Sequence, residues 1–159
     1  MAERKTAGKV RARLVAQVDA AWEAFTDSYA GLSPRDLVEP GVTKAWSVRD
    51  IIVHITVWEE EALKHLPGVL EGRRPPRYSV TYGGINAFNA LMTKQRQGLS
   101  LDEVFEQQAA VHQRLIRFIA RTDEDLLASG SRFRHRLKLD TYGHYPGHTG
   151  AIIRWRSQR

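Results

Sequence analysis

The chain has 159 residues, 42% of them hydrophobic, and no cysteine, which suits a single domain over residues 1–159 and excludes disulfides, thiolate metal sites and cysteine nucleophiles. The net charge of +6 is spread along the sequence, with Arg11 and Arg13 early, Arg73, Arg74 and Arg77 in one segment and Arg132, Arg134 and Arg136 in another. Basic residues dispersed in this way read as a solvated surface. No apolar run approaches membrane-spanning length, and Met1–Lys5 lead into no apolar segment, so no signal peptide is visible and a cytoplasmic location is expected.

The first element runs from about Thr6 to Gly31. Val10, Leu14, Val15, Val18, Ala21, Trp22, Phe25 and Tyr29 fall at helical spacing and predict a long amphipathic helix ended by Gly31 and Pro34. The next dozen residues read as a connection. A second helix starts at Ser47, where Ser47-Val48-Arg49-Asp50 is a capping-box pattern. Val48, Ile51, Ile52, Ile55, Ala62 and Leu66 form its buried stripe, with His54 on the border. Pro67 and Gly68 weaken the pattern after Leu66.

Residues 72–84, rich in Pro, Gly and Arg, read as a loop. Helical periodicity resumes with Ile85, Phe88, Leu91 and Met92, breaks at Gly98, and restarts from a second capping box, Ser100-Leu101-Asp102-Glu103. The two pieces predict one bent helix or two abutting ones. Thr122–Asp125 caps a short turn through Leu127. Residues 129–138 alternate basic and apolar positions and read as a loop, with a short strand as the alternative. The last helix carries Tyr145, Ala151, Ile152 and Trp155, and Pro146 fits it only in the first turn or at a kink. These amphipathic segments predict an all-α four-helix bundle.

His144 and His148 lie four residues apart, which places two imidazoles on one face of a helix. Such a pair commonly begins a transition-metal site but needs a further ligand. The remaining side chains have plainer readings. Asp50 is a cap partner, with a bond to His54 as the sharper alternative. Glu59, Glu60 and Glu61 read as a solvated face, with Glu59 as a general base near a metal the alternative. His112 reads as a boundary residue that could turn inward, and His65 and His135 as surface residues. Trp22, Trp58 and Phe88 read as core.

The run Ala45-Trp46-Ser47-Val48-Arg49-Asp50-Ile51-Ile52-Val53-His54-Ile55, followed by Trp58-Glu59, resembles the second-helix signature of the DinB-like, or YfiT-like, superfamily. Asp140-Thr141-Tyr142-Gly143-His144-Tyr145-Pro146-Gly147-His148 resembles its carboxy-terminal histidine pair. Ile85-Asn86-Ala87-Phe88-Asn89 and the restart over Leu99–Glu103 are similar to the ClbS/DfsB branch. The resemblance spans about Val10 to Trp155. It implies an up-up-down-down four-helix bundle, usually dimeric. It also implies a divalent metal, zinc or nickel foremost, held by His54, His144 and His148. Pro146 and Gly147 between the paired histidines depart from the family pattern.

Members with known roles include thiol-dependent transferases, a maleylpyruvate isomerase and ClbS-type proteins that protect against an electrophilic genotoxin. The resemblance therefore implies a metal-dependent enzyme acting on a small electrophile by hydrolysis or thiol transfer, with a thiol cosubstrate in the second case. A non-catalytic protein that sequesters a small molecule is the alternative. Nucleic-acid binding ranks last, because no helix concentrates arginine on one face.

Overall fold

The computed structural model describes residues 2–159, with side chains from residue 8 onward. It is all-helical, as expected. The segments are α1 (Ala2–Ser28), α2 (Pro34–Val38), α3 (Val48–Leu70), α4 (Tyr78–Thr81), α5 (Ile85–Gln95), α6 (Leu101–Arg121), α7 (Arg132–Asp140) and α8 (Tyr145–Ser157), with a 3-10 turn at Glu124–Leu127. An isolated bridge between Thr43 and Trp46 is the nearest approach to a strand among the described residues.

The core is organised around α3, in which 13 of 23 residues are buried. A helix buried on so many sides needs neighbours all round it. It packs against α6 and α7, with α5 and α2 covering the rest, while α1 lies along α8 and α6. Ile51, Ile52, Ile55 and Leu66 of α3 meet Leu115 and Ile119 of α6 and Leu137 of α7 in one apolar cluster. Phe25 of α1 packs between Tyr29 and Tyr145, at ring centroid separations of 5.3 and 6.3 Å.

Helix starts follow the sequence signals. Ser47 and Ser100 both form complete capping boxes, with Asp50 and Glu103 returning a bond to the cap backbone. A third box, Ser33 with Asp36, starts α2 inside the stretch read as a connection. The α5–α6 corner is tied down by Arg49, whose Nη2 donates to the carbonyls of Arg96, Gln97 and Leu99 at 2.8, 3.3 and 2.6 Å. These carbonyls follow the end of α5 and lack partners within that helix.

Three expectations change. Residues 132–140 form α7, not a loop or strand: Ser131 caps Arg134 N–H, and Phe133, Leu137 and Asp140 bury one face. α3 runs through Pro67 to Leu70, since a proline one turn from a helix end forfeits a single bond. A helical turn, α4, interrupts the 72–84 loop. The resumption after Gly84 is two helices, α5 and α6.

Candidate metal centre

His54 occupies the second turn of α3, where the helix faces the start of α8. The loop before α3 sets its surroundings. Backbone N–H groups of Gly41 and Val42 both donate to the Trp46 carbonyl, at 3.2 and 2.9 Å, and this tight turn presses the Trp46 indole against His54 at 4.9 Å. Trp58, one turn further along α3, closes another side at 6.4 Å.

His144 and His148 are delivered by a turn that could hardly be tighter. Thr141 Oγ1 donates to the Leu137 carbonyl at 2.6 Å, and its own carbonyl accepts from His144 and Tyr145 N–H at 2.7 and 2.9 Å. Gly143 N–H donates to the Lys138 carbonyl at 2.9 Å. A Cβ on Gly143 would lie 2.7 Å from that oxygen, so only glycine permits the approach. His144 then stands at the N-cap position of α8, Pro146 falls within the first turn, and His148 follows one turn on. Pro146 therefore leaves the histidine pair on one face, as its first-turn reading requires.

The three imidazoles converge. Nε2 of His144 lies 2.9 Å from Nε2 of His54 and 3.1 Å from Nε2 of His148, and one ligand atom from each ring falls within 4.8 Å of the others. His54 is buried and the other two half-buried. Burial pushes the His54 pKa down to about 2, helped by the neighbouring His144 and His148 rings. Burial and His148 likewise hold His144 at about 4, against the opposing influence of the Asp140 backbone carbonyl. His148 is also lowered by burial. All three are neutral at pH 7, which leaves unprotonated nitrogens available.

Three neutral nitrogens aimed at one another repel unless protons or a cation lie between them. Two nitrogens bound to one zinc-sized ion at a tetrahedral angle lie ~3.3–3.4 Å apart, so a small outward movement of these rings accommodates an ion. The residues present fit a divalent metal. His144 Nδ1 is buried and makes no well-formed hydrogen bond, so only the weak pull of the Asp140 carbonyl acts on the far side of that ring. Asp50 accepts from Ser47 N–H and Oγ at 2.9 Å and serves as the cap partner.

Two clefts reach the histidines. One, of about 320 Å³, is bounded by His54, His144, Trp58, Tyr78, Asn89, Arg136 and Leu139. The other, of about 600 Å³, lies over His144 and His148 beside Gly41, Arg154 and Trp155. The smaller has the aromatic walls and few convergent polar groups expected of a small-molecule site. Trp58 is thus both core and cavity wall, and Asn89 Oδ1 accepts from its Nε1 at 3.0 Å.

The acidic run in α3 is not a solvated face. Glu59 is fully buried against His112 of α6 and Tyr145 of α8, while Glu61, on another side of α3, is buried against Tyr78 and His65. Glu59 Oε1 accepts from His112 Nδ1 at 2.9 Å and from the Tyr145 hydroxyl. His112, read as a boundary residue, is buried, and its Nε2 lies 3.1 Å from Asp19. His65 is half-buried against Glu61 at 3.1 Å, whereas His135 is exposed as expected. Arg136 and Asp140 reach the cavity on α7 and Tyr78 on α4, two helices that the sequence does not disclose.

The protein is thus all-helical, with three buried or half-buried imidazoles that meet beside a small cavity. The sequence profile of the DinB superfamily matches residues 17–150. The chain belongs to the DinB superfamily. No curated protein and no solved structure gives a match.

Proposed function

We propose that His54, His144 and His148 hold a divalent metal, zinc or nickel, and that the protein is an enzyme acting on a small electrophilic molecule by hydrolysis or thiol transfer. The observation that carries this reading is the convergence of three neutral Nε2 atoms at 2.9 and 3.1 Å beside a cavity. When bound, such an ion supplies Lewis-acid polarisation and lowers the pKa of a coordinated water or thiol. The chain's own residues bind and orient. Trp46 and Trp58 fix the His54 ring and keep water from it, and Trp58, Tyr78 and Leu139 shape an apolar wall for the substrate.

Within the family we retain the ClbS/DfsB branch, because Asn89 of the stretch that resembles it bonds Trp58 at the cavity. The up-down order of the helices, a homodimer and a thiol cosubstrate come from the same resemblance and belong to this proposal. The apolar cavity wall also suits a protein that only sequesters its ligand. A sequestering protein returns its ligand unchanged and an enzyme does not.

The test is elemental analysis of untagged protein, wild type beside His54→Ala and His148→Ala. The expected result is near-stoichiometric metal in wild type and a loss of at least about tenfold in affinity in each variant. Metal-free wild type that takes up neither zinc nor nickel sinks the reading.

A further inference from the structure

The arginines that the sequence distributes over two segments are gathered by the fold around one cleft. Arg74 and Arg77 come from the loop after α3, Arg132 and Arg136 from α7, and His135 and Tyr78 complete the lining. The cleft encloses about 350 Å³ and no carboxylate lines it. Arg132 Nη2 donates to the Arg73 carbonyl at 2.7 Å, which ties the loop to α7 and holds the two basic segments together. Arg136 is paired, its Nε lying 2.6 Å from Asp140. Arg74, Arg77 and Arg132 make no ion pair among the described residues, while Arg73 next to them turns away to Glu71 at 2.6 Å.

Like charges gathered on a concave wall raise the local potential and repel one another unless an anion is held there. Guanidinium forks match carboxylate and phosphate oxygens two at a time, so arginine is the residue type suited to that anion.

The second observation is adjacency to the histidine centre. Tyr78 and Arg136 line both this cleft and the 320 Å³ cavity that touches His54 and His144. Their positions are fixed by bonds: Arg136 Nη2 donates to the Tyr78 hydroxyl at 2.9 Å, and that hydroxyl donates to Glu61 at 2.7 Å. A molecule long enough to pass Tyr78 would have one end among the arginines and the other at the imidazoles.

We infer that the arginine cleft binds a carboxylate or phosphate group of the small molecule that reacts at the histidine centre, so the substrate or cosubstrate is an anion. The placement of the reactive end rests on the metal-centre reading. The anion site itself does not.

The experiment is calorimetric titration of the full chain with glutarate and with phenyl phosphate at fixed ionic strength. It uses wild type, Arg77→Gln/Arg132→Gln, His148→Ala, and Arg114→Gln/Arg117→Gln, which removes the same charge from exposed positions on α6. Saturable binding of one anion per chain is expected for at least one of the two acids. It weakens about tenfold or more in the cleft variant and holds within about twofold in the α6 variant. Retention in His148→Ala supports the cleft whatever the metal content, so a failed metal reading leaves this result legible. Binding lost in His148→Ala but kept in the cleft variant places the anion at the histidines and overturns the inference. So does absence of saturable binding, or equal weakening by both arginine pairs. Tighter binding of single-stranded DNA or of phosphatidylserine vesicles, abolished in the cleft variant, would assign the cleft to a polymer or a lipid surface and overturn it equally.

Discussion

Glu59 lies within three consecutive glutamates, yet its carboxylate is fully buried where α1, α3, α6 and α8 meet. Both ring nitrogens of His112 face carboxylate oxygens, Nδ1 toward Glu59 at 2.9 Å and Nε2 toward Asp19 at 3.1 Å. Facing ionised carboxylates, both nitrogens donate, which favours the imidazolium. Burial acts to lower the His112 pKa, but Glu59 and Asp19 outweigh it and the net shift is upward. A raised folded-state pKa gives stability that is fully present below the unfolded value of about 6.5 and is lost as pH rises through the folded value. His112→Leu is expected to cost about 3–5 kcal/mol near pH 6, because it leaves the Glu59 charge buried with only the Tyr145 hydroxyl beside it. Denaturant unfolding at about pH 6 and about pH 9 checks this. The gap between wild type and variant should narrow at the higher pH, and an equal gap at both would mean that the pair is not charged.

At the scale of elements, the site depends on the turn between α7 and α8. Gly143→Ala is expected to unfold nothing but to displace His144, because the new Cβ meets the Lys138 carbonyl at 2.7 Å and the backbone must give way. Strain of about 1–3 kcal/mol and a loss of metal affinity should appear together. Gly147→Ala, whose added Cβ meets nothing within 4 Å, should leave metal affinity intact and is the control. Comparable metal affinity in both variants would show that the turn does not position the ligand. This turn marks the limit of what the sequence discloses. The capping serines at Ser47 and Ser100, the stripe on α3 and the pair His144 and His148 are local patterns, and local patterns survive into the fold. α7 is not such a pattern. Its sequence, RFRHRLKLD, is dominated by basic residues, and it becomes a helix because Phe133 and Leu137 reach the core and Ser131 caps it. The burial of Glu59 was hidden for the same reason, since the helices that cover it come from distant parts of the chain.

For the whole molecule, the histidine centre joins α3 to the end of the chain across a sequence separation of 90 residues, so ion binding and folding should be linked. An ion held at about 100 times its dissociation constant adds about 2.7 kcal/mol to folded-state stability. In a chain of this size that corresponds to a Tm higher by roughly 5–11 °C. Removing the ion with a chelator should lower the Tm by that amount, and adding zinc or nickel in excess should restore it. The chelated protein should also be sensitive to acid. His54 and His144, lowered to about 2 and about 4, take up protons in the unfolded chain before they do so in the folded one. Stability then falls as pH drops below about 6.5, by at most about 1.4 kcal/mol per pH unit for each such ring. His54→Ala should fall less steeply over this range, since it carries one fewer buried neutral imidazole. Thermal melts with and without chelator between about pH 5 and about pH 7.5 would decide it. A Tm indifferent to chelator in wild type would deny that an ion braces these helices. A His54→Ala profile parallel to that of wild type would deny that His54 is buried in its neutral form.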